Sequence, residues 1–337
     1  MMRIGFVYDA REDYRALGFS EEAIAEFDTP ETLHEIESVL TRNGHEVERI
    51  GHGRVLAERL VQGERWDLVF SIAEGVRGRS REAQVPALCE LFDQAYVFSD
   101  PLTNATTLDK GVAKRLARDQ GVPTAPFAVL ERADEAFAVD LPFPLFVKPV
   151  AEGTGKGCEA ASKVRSHAEL HAAAQRLIAR FSQPAIVEPY LPGREFTVGV
   201  VGNGEDARVI AVMEVILLKD AEEGVYSLLN KEQCERLVHY QLADDEEARR
   251  AAASALRAYR ALGCRDASRL DFRSDADGEP MFLEVNTLAG LHPHHSDLPM
   301  LAGMAGMDYD ALMAEIVDAA QMRYGIGLEF VRRKKVT

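Results

Sequence analysis

Basic charge, cysteine and long apolar runs are all scarce in this chain. Lysine and arginine number 39 against 55 aspartates and glutamates among 337 residues, leaving a formal net charge of −16. So acidic a surface excludes a general nucleic-acid binder, whose phosphate contacts need a basic face. The one basic run, Arg332-Arg333-Lys334-Lys335, closes the sequence and reads as a solvated tail. Cys89, Cys158, Cys234 and Cys264 are scattered without a CxxC pair, which argues against both a zinc site and a disulfide framework. No segment reaches the ~18 consecutive apolar residues of a membrane span. The richest stretch, Val209 to Leu218, is short and carries Glu214. The opening residues run straight into a strand-like pattern with no leader-type cleavage region. The expectation is a cytoplasmic protein without nucleic-acid or membrane partners. What remains is ordinary globular composition, and the length suggests two domains or three small ones.

The first hundred residues alternate strand and helix signals. Ile4 to Tyr8, Val47 to Ile50 and Asp67 to Ile72 are strand-like. Pro30 to Asn43 reads as a helix, capped by Thr29, with Leu33, Ile36, Val39 and Leu40 on one stripe and Gly44 as the stop. Arg81 to Asp93 reads as another. This alternation implies an α/β fold with a parallel sheet, whose ligands meet the loops at the strand carboxyl ends, here beginning at Asp9 and at Ala73-Glu74-Gly75. A second region, 101–184, predicts a helix from Asp109 to Gln120, strands at 127–130 and 144–149, a glycine-rich loop, and a Ser166-capped helix to Phe181. A third, 185–337, predicts strands at Thr197 to Val201, Val209 to Leu218, Ser268 to Arg273 and Met281 to Asn286, then helices from Asp245 to Gly263 and Tyr309 to Arg323.

Four segments carry chemistry. Lys148 interrupts the apolar strand Leu145-Phe146-Val147-Lys148-Pro149; a buried charge there needs an anionic partner, although an edge lysine reaching for water has the same pattern. Glu152-Gly153-Thr154-Gly155-Lys156-Gly157 places glycine at every second position. Its exposed N–H groups and the Thr154 hydroxyl suit phosphate oxygens, and a plain hairpin turn fits equally well. It matches neither the P-loop nor the dinucleotide fingerprint. Ile186 to Phe196 brackets a proline-stiffened connection with Glu188 and Glu195, which can read an adenine and ribose or simply face water. The fourth segment is the most specific. Strand alternation places Arg269 and Asp271 on one face, and Glu284 and Asn286 on one face of the next run. Asp271, Glu284 and Asn286 then form an all-oxygen set suited to Mg²⁺ with nucleotide phosphates.

In this order the four segments resemble the ATP-grasp superfamily, and within it the D-alanine–D-alanine ligase family. Ser99-Asp100-Pro101, Leu108-Asp109-Lys110, Gly121-Val122-Pro123-Thr124 and Glu284-Val285-Asn286-Thr287-Leu288-Ala289-Gly290 extend the likeness over nearly the whole chain. The resemblance implies an N-terminal α/β domain (1–100), a central subdomain with a glycine-rich lid (101–184) and a C-terminal subdomain with the metal site (185–337), the latter two enclosing ATP. It implies that Lys110 and Lys148 contact ATP, that Glu152 to Gly157 is the lid, and that Glu188, Tyr190 and Leu191 lie at the adenine with Glu195 at the ribose. Lys231 resembles the phosphate lysine of a mobile loop. Asp271, Glu284 and Asn286 match ligands for two Mg²⁺ ions, with Mn²⁺ as a substitute. Arg269 and the Gly290 backbone match the groups that stabilise the oxyanion. The family's activity is ATP-dependent carboxylate–amine ligation through an acyl phosphate, and its usual assembly is a homodimer.

The departures fall on the substrate side. Thr154-Gly155 replaces the lid's two serines, and Glu232 stands where a tyrosine follows the loop lysine. Glu12 or Asp13 is expected to stand in for the family's N-terminal glutamate. Glu74 replaces a histidine, with Arg81 following. In Leu291-His292-Pro293-His294-His295-Ser296-Asp297, Ser296 fits the carboxylate-binding serine, while Asp297 would repel a carboxylate or attract a cation. The histidines read as pocket walls in preference to a zinc site. The expected enzyme joins an amino acid, D-alanine among the options, to an amino-acid or amine acceptor that need not be D-alanine. An ester-forming ligase and a nucleotide-binding regulatory protein without turnover are the rivals.

Overall fold

The computed structural model describes residues 1–221, 230 and 233–326. In the N-terminal part, β1 (Arg3–Val7), α1 (Arg11–Ala16), α2 (Pro30–Arg42), β2 (Glu46–Gly51), α3 (Gly53–Val61), β3 (Leu68–Ser71) and α4 (Gln84–Leu91) follow in order. The sheet is parallel with β1 central, in the order β2-β1-β3. A central parallel strand must be apolar on both faces, and Ile4, Gly5, Phe6 and Val7 are all buried. Helix α2 starts where its sequence says it should. The Thr29 hydroxyl accepts from Thr32 N at 3.3 Å, Pro30 occupies the first turn, and Leu33, Ile36, Val39 and Leu40 are buried. Gly75 N donates to Asp9 at 2.9 Å, so the loops leaving β1 and β3 are tied together at the sheet's carboxyl end.

Helices α5 (Pro101–Leu108) and α6 (Lys110–Asp119) lead into an antiparallel sheet ordered β4-β7-β5-β6. Its strands are β4 (Ala128–Leu130), β5 (Leu145–Pro149), β6 (Lys163–Val164) and β7 (Ala185–Pro189), with α7 (His167–Phe181) packed on it. The last sheet is antiparallel in the order β10-β9-β8-β11-β12. It contains β8 (Glu195–Val201), β9 (Arg208–Leu217), β10 (Val238–Leu242), β11 (Ala267–Ser274) and β12 (Pro280–Asn286). An alanine-lined face of α8 (Glu246–Ala261) covers one side of this sheet, because small side chains let a helix lie close to it. The other side shares a core with the N-terminal sheet: Val201, Met213 and Ala267 pack with Ile4, Phe6 and residues of α9 (Asp297–Met304) and α10 (Tyr309–Tyr324). The clefts between these sheets hold the site. Among the described residues no helix is long and apolar enough to cross a membrane.

Candidate active site

Strands β11 and β12 pair with Arg269 opposite Asn286 and Asp271 opposite Glu284. The alternation seen in the sequence therefore presents all four side chains together. Asn286 Nδ2 donates to Asp271 Oδ2 at 3.2 Å, and Arg269 Nη2 donates to the same oxygen at 3.0 Å. Lys110, at the start of α6, places Nζ 3.0 Å from Glu284 Oε2 and also reaches the Glu152 carbonyl at 2.5 Å. Two carboxylates and an amide are hard oxygen donors that fit a hydrated Mg²⁺. Among the described residues no group of three or more His, Cys, Asp or Glu side chains is arranged to hold a metal.

Across the cleft, Lys148 on β5 and Lys114 on α6 flank Glu188 on β7. Lys148 Nζ lies 3.2 Å from Glu188 Oε1 and Lys114 Nζ lies 2.8 Å from Oε2. Lys114 is wholly buried and also donates to the Phe282 carbonyl on β12 at 2.6 Å. This chain of contacts ties the middle sheet to strand β12, which pairs with β11. Burial alone would raise the Glu188 carboxyl; the two ammonium groups outweigh it and hold the carboxyl at about 2. Burial also disfavours the Lys148 charge, but Glu188 and Glu284 more than compensate and raise its pKa. Lys114 ends lower than an ordinary lysine, through burial and then the neighbouring Lys148.

The glycine-rich loop is pinned from the N-terminal part. Glu26 accepts from Gly153 N at 2.6 Å and pairs with Arg81 at 3.0 Å and Lys156 at 3.2 Å. Lys156 also pairs with Glu152 at 2.5 Å. Burial pulls the Glu26 carboxyl upward, yet Arg81, Lys156 and the Gly153 amide leave it below the usual range. Gly157 has φ +73°, and a Cβ there would sit 2.6 Å from Pro149 Cγ, so both backbone and packing require glycine.

Two cavities meet at Lys110, Glu152 and Glu284. The smaller, about 110 Å³, is lined by Lys148, Glu188, Tyr190, Leu191, Glu195 and Asp271 among others. The larger, about 420 Å³, reaches Thr154, Arg269, Asn286, Gly290, Ser296 and Asp297. Glu74 and His295 also line it, and Gly155 and Lys156 line the smaller one. Three expected residues fall elsewhere. Glu12 is exposed on α1, outside both cavities, because α1 carries it away from the strand end. Arg81 lies behind the wall, buried against Glu26 and the Ala151 carbonyl. Gly157 packs under the loop against Pro149 and Phe181. Lys231 and Glu232 lie outside the described residues.

Sequence reasoning missed Glu26, Asp28 and Glu82, all of which line the larger cavity. Burial pushes Asp28 up to about 7 against the pull of Arg11. It pushes Glu82 to about 7 against Arg81. Glu74 is raised by burial and by the charges of Glu82 and Glu26. Their acidic loops carry no periodicity, so only the fold reveals them. His292 and His295 face each other at 4.7 Å between ring centroids as part of the cavity wall.

A basic wall facing an oxygen cluster, with a glycine loop over the gap, defines the ATP-grasp class, and comparison with known proteins narrows it. A family profile described as "D-ala D-ala ligase C-terminus" matches residues 116–318. The D-alanine–D-alanine ligase of Bordetella petrii is 35% identical over 271 residues, covering 79% of each chain. That of Gluconobacter oxydans is 34% identical over 289 residues, 84% of this chain and 91% of its own. An uncharacterised protein, y4sG of Sinorhizobium fredii, is 34% identical over 269 residues, 76% of this chain and 75% of its own. The ATP complex of Bacillus anthracis D-alanine–D-alanine ligase superposes with a TM-score of 0.72 at 22% identity, over 97% of this chain and 100% of that one. The VanG D-Ala:D-Ser ligase of Enterococcus faecalis gives 0.72 at 22%, over 94% and 99%. The chain belongs to the D-alanine–D-alanine ligase family. It is an ATP-dependent ligase that forms a carbon–nitrogen bond between small substrates.

Proposed function

We propose that the enzyme phosphorylates the carboxylate of a small amino acid with ATP and passes the acyl group to an amine. One observation carries this reading: Asp271, Glu284 and Asn286, with Arg269 beside them, share a continuous cleft with Lys110, Lys148 and the glycine loop. A carboxylate acylates poorly because an oxide must leave; as an acyl phosphate, it releases phosphate instead. Transfer between two anions requires charge neutralisation. Lys110, Lys148 and Lys156 provide fixed positive charge, and the loop 152–157 provides backbone N–H donors. Mg²⁺, held by Asp271, Glu284 and Asn286, would neutralise phosphate charge in the same place. Tyr190 and Leu191 form the adenine wall, with Glu195 at the ribose.

Arg269 and the Gly290 N–H, both in the lining of the larger cavity, would stabilise the oxyanion when the amine attacks. Loop 152–157, anchored by Glu26, keeps water from the acyl phosphate. The relatives' names make D-alanine one donor to test. A cytoplasmic homodimer completes the proposal.

The test is ADP release from purified protein with ATP, Mg²⁺ and a panel of amino acids, with hydroxylamine added to trap acyl phosphate as a hydroxamate. ADP and hydroxamate formed together with a particular donor support the reading. Stoichiometric ATP binding with neither product, under every donor and acceptor, would favour the regulatory alternative.

A further inference from the structure

The larger cavity is more acidic than nucleotide chemistry requires. Eight of the side chains lining it are carboxylates, and among the described residues three, Arg11, Lys110 and Arg269, are cationic. Each cation is already engaged. Arg11 donates to the carbonyls of Phe27 at 3.2 Å and Ala25 at 2.8 Å. Lys110 serves Glu284 and the Glu152 carbonyl. Arg269 gives one arm to Asp271 and the other to Asp297 Oδ2 at 2.9 Å.

Asp297 matters most, because it begins α9 in the wall formed by residues 288–297 and is only 7% exposed. Its carboxylate occupies one guanidinium arm of Arg269 and lies next in sequence to Ser296 on the same cavity wall. A second carboxylate there would meet an occupied Arg269 and the repulsion of Asp297. Ser296 Oγ accepts from His292 N at 3.0 Å and keeps its own proton to donate, so the charge of Asp297, not Ser296, decides against a carboxylate.

The opposite wall, residues 25–32, presents Asp28. Among the described residues its carboxylate forms no hydrogen bond and no ion pair within 4 Å, although Arg11 lies near enough to attract it. Burial pushes this carboxyl up to about 7, the state of a group short of a cation. Glu31 beside it is largely exposed, and the histidines opposite are the only other titratable groups on the facing loop apart from Asp297.

We propose that the acceptor is a diamine: one neutral amine attacks the acyl carbon, and a second, protonated amine pairs with Asp28, with no carboxylate beside the reacting nitrogen. This rests on the ligase reading above. The attacking nitrogen forms the C–N bond as the acyl C–O bond to phosphate breaks, and the departing phosphate takes the nitrogen's proton. Asp297 then acts as a built-in substitute for the missing substrate carboxylate, keeping Arg269 in place.

The experiment compares 1,5-diaminopentane, pentylamine, D- and L-lysine and D-alanine as acceptors for a donor identified by hydroxamate trapping, with products weighed by mass spectrometry. The diamine should exceed pentylamine, which lacks the second charge, and both lysines, which add the carboxylate, by on the order of tenfold in kcat/KM. Asp28→Asn should raise the diamine KM by on the order of tenfold and erase its advantage over pentylamine. Asp28→Glu, which keeps the charge, should largely restore it. Equal use of pentylamine, or preference for lysine or D-alanine, overturns the diamine assignment while the hydroxamate upholds the ligase reading. Absence of hydroxamate and ADP with every donor overturns both.

Discussion

Replacing Glu188 with glutamine should loosen the strands that carry Lys148, and the size of the effect can be worked out. The Glu188 carboxyl is held at about 2 in place of an ordinary 4.5. At about 1.4 kcal/mol per tenfold, the folded environment favours the anion by about 3 kcal/mol. A carboxyl lowered in this way contributes stability that is complete above pH 4.5 and is lost as pH falls through 2, so the contribution is intact at pH 7. Glu188→Gln removes it and leaves the ammonium groups of Lys114 and Lys148 buried together. Because Lys114 is itself disfavoured by burial, Lys114→Met should cost less than Glu188→Gln, and the double variant less than the sum of the two. Hydrogen exchange read on peptides spanning β5 and β7 isolates the local effect from domain-by-domain unfolding. Protection there should fall roughly 100-fold at pH 7 in Glu188→Gln, the equivalent of about 3 kcal/mol. Protection within about threefold of wild type, or strictly additive variants, would refute the charge argument.

Asp271→Asn and Glu284→Gln should each reduce ADP release on the order of 100-fold, because charge neutralisation at a transferring phosphoryl group is worth several kcal/mol; a steady-state ADP assay over a range of Mg²⁺ checks this, and full activity in either variant would count against the oxygen cluster. Stability should also depend on pH through Asp28 and Glu82, both held at about 7. An acid with a raised pKa destabilises the fold as pH climbs from about 4 through 7, so thermal denaturation should give a melting temperature several degrees higher at pH 5.5 than at pH 8. Asp28→Asn should flatten that dependence; the reverse slope would contradict it.

The β11–β12 half of the site was legible because its geometry is local. Two strands with period-2 alternation are enough to put Arg269 with Asp271 and Glu284 with Asn286, and the antiparallel register then joins the pairs. The glycine loop and the helices at Pro30 and Ser166 announce themselves through caps and spacing. The N-terminal contribution was not legible. The family likeness pointed to Glu12 or Asp13, but the acid that lines the cavity and holds the glycine loop is Glu26, beyond α1 and a loop. Glu26 contacts Gly153, 127 residues away, and nothing in either segment signals the other. The pairing of Lys114 with Glu188 was hidden for a related reason. A lysine on α6 looks like one that reaches for water, until Glu188, 74 positions later, folds over it.

Arg269 links the chemistry to the choice of acceptor. Its guanidinium spans the β11 carboxylate Asp271 and the cavity-wall carboxylate Asp297, so its charge is divided between the two. Asp297→Asn should therefore change more than a pocket wall. One arm of Arg269 loses its anionic partner, and the repulsion that excludes an acceptor carboxylate disappears. The KM for lysine should fall by on the order of tenfold, while that for 1,5-diaminopentane, held at Asp28, should change much less. Acceptor kinetics at fixed ATP and donor would measure both. If lysine and the diamine improved or worsened together, Asp297 would be acting through the orientation of Arg269 alone, and its charge would have no part in selecting the acceptor.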